Sequence, residues 1–279
     1  MAEISQPDGG AAFSDEGRMT LIEHLRELRN RTFVAVVAVL VGFIVALFFY
    51  EELFDLLQRP AATALSGLSA EQRENAQIFT AGVAGAFILQ VKVSLVAGIV
   101  LSSPVWLYEL WAFILPGLHR SERKWTIIFV SIAGPLFASG VALGYWVMPK
   151  GLQVMLSFTP DGLSNFIDVS TYLNFVLRVL LVFGVAFEIP LFVVLLNLAG
   201  VVSGKQLGQW RAWIIFATFI FAAVATPSTD PITMLLLAIP MVLLFLISEV
   251  IARLVDRRRG RQSSEPDYNT LDDDEASPL

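Results

Sequence analysis

A chain of 279 residues that is 56% apolar and only 16% charged, with mean hydropathy +0.67, has too little polar surface to close a water-soluble globule, so the bilayer is its expected solvent. It has no cysteine and only two histidines, His24 and His119, which excludes disulfides, thiol nucleophiles and a histidine-rich metal cage. The net charge of −6 comes largely from the two polar tails, where Glu265, Asp267, Asp272, Asp273, Asp274 and Glu275 crowd the C-terminus, and it says little about partners.

Residues 1–17 and 262–279 are rich in Ser, Pro, Gly and acids and are expected to be disordered. From Thr20 to Arg31 the pattern is an amphipathic helix leading into the membrane, with Leu21, Leu25 and Leu28 on one face. Thr20 and Glu23 fit a capping box, whereas Glu27 has no structural duty beyond an i,i+4 pair with Arg31. Thr32 to Tyr50 then gives 19 residues without a formal charge. At about 1.5 Å per residue they reach roughly 28 Å, close to a hydrocarbon core of about 30 Å. This run is longer than a signal-peptide core and ends in the bulky Phe48, Phe49 and Tyr50, so it reads as an uncleaved anchor.

Further spans are expected at about 84–107, 125–148, 172–198, 213–225 and 232–251, six in all, within a membrane domain of residues 18–252 followed by a tail at 253–279. The fifth has about 13 uninterrupted apolar residues, roughly 20 Å of helix, and the sixth is brief and carries Pro240. They form either a low hairpin with its tip, Thr226 to Pro231, in the outer leaflet, or helices that extend through Trp210 or Ser228 and end at the interface. Pro104, Pro135, Pro190 and Pro240 lie in or at the ends of spans and invite kinks, which favours a curved wall over a regular bundle.

Basic residues set the orientation. Of 19 Lys and Arg, fourteen fall on the side that holds Arg26, Arg29, Arg31, Arg123 and Arg253; Arg59, Arg73 and Lys150 fall on the other, and Lys92 and Arg178 lie within spans. Both termini are therefore expected in the cytoplasm. Outside are two loops, 51–83 and 149–171, the first opening with Glu51 to Leu57 in a pattern suited to a short interfacial helix.

Glu188 falls near mid-membrane and must be neutral, paired or facing water; it is either a functional carboxyl or a hydrogen-bond donor to carbonyls freed by Pro190. Lys92 and Arg178 lie close enough to the outer interface to snorkel. Asp230 either caps the start of span six or belongs to a polar cavity. On the cytoplasmic side, Glu27 and Glu122 each have an ordinary reading, as an i,i+4 partner and as a complement to a helix dipole. Together, on a cation-rich surface, they suit planar bidentate binding of guanidinium groups, which lysine cannot reproduce, with Phe113 and Leu118 available for apolar neighbours.

Four motifs make the pattern specific: Glu23-His24-Leu25-Arg26-Glu27-Leu28-Arg29; Trp111 to Leu118 followed by Glu122-Arg123; Phe183 to Pro190; and Thr226 to Pro231 leading to Leu237-Ala238-Ile239-Pro240-Met241. In these residues the chain resembles TatC, the receptor core of the twin-arginine protein translocase. The resemblance implies an all-α integral membrane protein of six transmembrane helices in a curved, glove-like arrangement with short fifth and sixth spans. It implies export of folded proteins across the cytoplasmic (inner) membrane, driven by proton-motive force, without catalysis or a cofactor. It further implies twin-arginine signal peptides read by the acids matching Glu27 and Glu122, beside Phe113, Leu118 and Arg29; docking of the single-span partners TatA and TatB on spans five and six; self-association; and lipid, but no nucleic acid, around the chain. The residue matching Glu188 lines a concave membrane-buried face. Two positions depart from the family's usual pattern, with Met234 in place of a glutamine and Gly85 in place of a glutamate.

A proton-coupled small-solute transporter is the alternative, with Glu188 as coupling carboxyl and Lys92 or Arg178 as ligands. It should show matched halves and polar groups converging at mid-membrane, whereas the specific motifs here lie in cytoplasmic loops. No nucleophile, metal set or phosphate loop supports an enzyme.

Overall fold

A computed structural model describes residues 21–68, 76–79, 84–118, 123–158, 165–225 and 231–264. In chain order the elements are α1 (Leu21–Phe48), α2 (Tyr50–Ser66), β1 (Ala76–Phe79), α3 (Gly85–Leu101), α4 (Ser103–Leu118), α5 (Arg123–Ser157), β2 (Asn165–Asp168), α6 (Val169–Leu198), α7 (Gly204–Ala225) and α8 (Pro231–Ser264). Five of these helices, α1, α5, α6, α7 and α8, are each long and apolar enough to cross a bilayer, and α3 with α4 supplies a sixth, bent span. This is the six-span arrangement expected from the sequence. The tails at 1–17 and 265–279, the capping threonine Thr20, Glu122 and Asp230 lie outside the described residues.

Several helices run past the apolar segments that announced them. α1 fuses the amphipathic lead-in with the first span, α5 begins at 123 and ends at 157, and α8 continues to 264. α7 starts at Gly204, nine residues before the apolar run at Trp213. The cause is that backbone hydrogen bonding does not stop at the edge of the lipid, whereas hydropathy marks only the part inside it. The expected span 84–107 bends by 57° at Ser102, between α3 and α4, beside the Pro104 at which a kink was expected. Pro104 has no N–H for the Val100 carbonyl, and where the ladder stops the indole of Trp106 donates to the Ile99 carbonyl at 2.9 Å.

α6 is the central post. Its buried residues, from Tyr172 and Leu173 through Phe183 and Phe187 to Leu195, surround most of its circumference, and it packs on α3, α5 and α8. α1 lies on α3 and α4 and leaves most of its surface exposed, as a helix facing lipid does. Where α1 crosses α3, Gly42 meets Gly98 so closely that a Cβ on Gly98 would stand 2.5 Å from the Phe43 backbone nitrogen. Small residues at a membrane helix crossing let the backbones touch.

After the first span, α2 buries Leu57, Pro60, Ala61 and Ala64, one face at i, i+3, i+4 and i+7, against α5 and α3. Pro60 removes the donor that would bond the carbonyl of Leu56, and the hydroxyl of Tyr145 supplies it at 2.9 Å; Tyr172 donates to the next carbonyl, Leu57, at 2.6 Å. The segments 51–83 and 149–171 are also joined by a parallel β1–β2 pair running from Ala76↔Asn165 to Phe79↔Asp168. Four-residue strands carry no periodicity long enough to read in the sequence. Asp168 then caps α6, accepting from the Thr171 backbone N–H at 2.9 Å.

Candidate functional site

His24, Glu27, Leu28 and Arg31 recur at i, i+3, i+4 and i+7 on one face of α1, and Trp106, Glu109, Leu110 and Phe113 do the same on α4. Packing of α1 on α4 brings these faces together. His24 stacks on Phe113, ring centroids 4.5 Å apart and 18° from parallel. Next to that stack the Arg31 guanidinium bridges two carboxylates: Nε and Nη2 each reach Glu27 Oε1 at 2.8 Å, and Nη1 reaches Glu109 Oε2 at 3.0 Å. Side-chain exposures of 25% for Arg31, 23% for Glu27 and 16% for Glu109 place the trio at a half-wet rim rather than in the core. The rim adjoins a cavity of about 510 Å³ between α1, α3 and α4, lined by Val36, Leu40, Leu95, Ile99 and Leu110 together with Arg31 and Glu109.

Of the residues singled out from the sequence, this rim gathers Glu27 and Phe113. Arg29 is exposed and engages Asn30 Oδ1 at 3.3 Å instead of either glutamate. Leu118 ends α4, but its side chain is outside the described residues, as is all of Glu122. Glu109 was not anticipated. The available signal was its position four residues before Phe113 on a helix, readable only once that stretch is known to be helical.

Glu188 lies on α6 with both carboxyl oxygens buried and without a hydrogen-bond partner among the described residues. The indole N–H of Trp111 on α4 is its polar neighbour, and it too closes no hydrogen bond. The anticipated bond to carbonyls freed by Pro190 is not made. Lys92 donates to Asn174 Oδ1 at 3.1 Å. Arg178 lines a separate cavity of about 380 Å³ with Tyr172, Phe175 and Leu152, and that cavity does not include Glu188.

A second charged cluster was missed altogether. Glu249 of α8, buried, receives Arg211 of α7 through Nη2 at 2.7 Å and Nε at 2.9 Å, and Arg253 at 2.6 Å. Arg211 and Glu249 stand 19 residues either side of residue 230, the same level of an antiparallel hairpin, which was the sign in the sequence. Asp256 completes the joint, accepting from the Gly204 backbone N–H at 2.6 Å and from Asn197 Nδ2 at 2.8 Å, so that one carboxylate of α8 holds the end of α6 and the start of α7.

The family model described as Sec-independent protein translocase protein (TatC) matches residues 23–240, enclosing both faces of the rim. The chain belongs to the TatC family. It is 45% identical over 272 residues to the Sec-independent protein translocase protein TatC of Frankia casuarinae, covering 95% of this chain and 74% of that one. To the TatC of Xylanimonas cellulosilytica it is 37% identical, with 93% of each chain covered. A crystal structure of the twin arginine translocase receptor TatC in DDM superposes with a TM-score of 0.72 at 32% identity, over 82% of this chain and 99% of that one. As a TatC family member the chain is a multi-pass membrane protein and a translocase component, and membership implies translocase partners.

Proposed function

We propose that this TatC family chain is the receptor that reads the paired arginines of export signal peptides and forms the core of a translocase carrying folded proteins across the cytoplasmic membrane, driven by proton-motive force. The observation that supports this best is the rim itself. A carboxylate pair, Glu27 and Glu109, stands beside the His24–Phe113 stack at the mouth of an apolar cavity. Guanidinium groups suit the carboxylates, and the apolar stretch of a tag suits the cavity. Glu122, Leu118 and Arg29 join this surface on the family resemblance. In this reading the rim and both termini are cytoplasmic.

TatA and TatB are the proposed partners of α7 and α8. Trp213, Phe216, Ile220 and Val224 recur along α7 and are all exposed, an apolar stripe suited to a single-span helix in lipid. Copies of the chain associate with one another in the same membrane. Asp230 and Glu188 are the membrane-buried polar positions of the proposal.

The test is binding of a synthetic twin-arginine peptide to the full chain in lipid nanodiscs. Changing Glu27 and Glu122 together to Gln is expected to weaken binding about 10- to 100-fold, the range for losing charge-assisted bidentate pairs. Normal affinity in the double variant, with the protein correctly inserted, refutes the assignment. Photocrosslinking from positions 27, 113 and 122 to the peptide gives an independent readout.

A further inference from the structure

The receptor surface is already occupied by a guanidinium of the chain itself. Arg31 turns its Nε–Nη2 edge, the edge a bidentate arginine uses, to Glu27, and its remaining amino group to Glu109. Three facts make this more than a surface ion pair. The guanidinium is shared between two helices 78 residues apart in sequence, so its position is set by tertiary packing rather than by the helix alone. The trio carries two negative charges and one positive, so it has room for one more guanidinium before it is neutral. Arg31 also has a second carboxylate to hold if it loses the first, so displacing it from Glu27 does not strand a charge at the membrane edge.

We propose that Arg31 is a resident competitor for the receptor site: an arriving arginine takes Glu27, and Arg31 shifts wholly onto Glu109, which serves as its parking carboxylate. This rests on the reading of Glu27 as an acceptor of signal-peptide arginine. Its consequence is that the site is never an unpaired carboxylate in the resting chain, and that only a ligand able to replace a guanidinium captures it. Competition of this kind lowers apparent affinity by the fraction of time the site is filled internally.

The two partners of the device have opposite signs, which a merely structural role does not produce. With the full chain in nanodiscs and a fluorescent peptide containing consecutive arginines as the probe, Arg31→Gln removes the competitor and is expected to tighten binding about two- to fivefold, the range for a partly exposed ion pair. Glu109→Gln removes the parking place, leaves Arg31 fully on Glu27, and is expected to weaken binding by a similar factor. Arg26→Gln, which removes an equal charge from an exposed position on the same helix, measures the general electrostatic contribution and should change affinity less than Arg31→Gln. Weaker binding in Arg31→Gln, tighter or unchanged binding in Glu109→Gln, or equal effects of Arg31→Gln and Arg26→Gln each overturn the competitor role. Glu27→Gln separates the two readings. If it abolishes binding while Arg31→Gln also weakens it, the receptor site stands and the competitor falls; if it binds normally, the receptor site itself falls.

Discussion

Substituting Gly98 by Ala should loosen the seam that holds α1, and with it the alignment of the rim between α1 and α4. The added Cβ would lie 2.5 Å from the backbone nitrogen of Phe43, 2.7 Å from its Cα and 2.9 Å from the Gly42 carbonyl carbon. Non-bonded heavy atoms settle at about 3.5–4.0 Å, so α1 and α3 must part by about 1 Å, and no flexible side-chain end is available to yield. Overpacking of this kind costs about 1–3 kcal/mol, and because Gly134→Ala shares the propensity gain of Ala, Gly98→Ala should fall about 1–3 kcal/mol below that control. Gly42→Ala strikes the same contact from the other side, at 2.6 Å from the Gly98 carbonyl oxygen. Once one substitution has opened the seam the second adds less, so the double variant should lose less than the sum of the two. Gly134→Ala on α5 is the control, since nothing stands within 4 Å of its added Cβ. Thermal unfolding of the four variants in one detergent, followed by peptide binding, reads the result. Gly98→Ala as stable as Gly134→Ala, or strictly additive losses at 42 and 98, would refute the close-contact argument.

Tyr172→Phe removes the hydroxyl that donates to the Leu57 carbonyl and should cost about 1 kcal/mol, with faster hydrogen exchange across residues 50–66 as the specific sign. Asp256→Ala takes the acceptor from the Gly204 N–H and from Asn197 at once and should cost about 1–2 kcal/mol in thermal unfolding, with fraying at the start of α7. Glu188→Gln should leave folding within about 1 kcal/mol of the parent, because among the described residues no cation or hydrogen-bond partner is lost with the charge; a larger drop in the same assay would reveal an ion pair at that carboxyl.

Much of the site's chemistry was visible in the residues and little of its geometry. Glu27 drew notice because its only local explanation was the pair with Arg31, and that pair is present at 2.8 Å. What local sequence left out was that the same guanidinium also belongs to Glu109, 78 residues away, because an ion pair between helices depends on how two faces are rotated toward each other. The Arg211–Glu249 joint escaped for the same reason, although its symmetry about residue 230 was in plain view.

Hydropathy by itself settled the lipid solvent, the number of spans and the approximate place of each, because removing backbone and charge from water costs more than any local preference can offset. It placed the short helix after span one and located the proline beside the break between α3 and α4. Only the folded chain decided where helices end beyond the apolar segments, that the segments 51–83 and 149–171 meet in a parallel strand pair, and that α6 is the post around which the others stand. Those outcomes follow from contacts between segments far apart in sequence, whose energies depend on the close fit of particular surfaces and leave no periodic trace in the residues that make them.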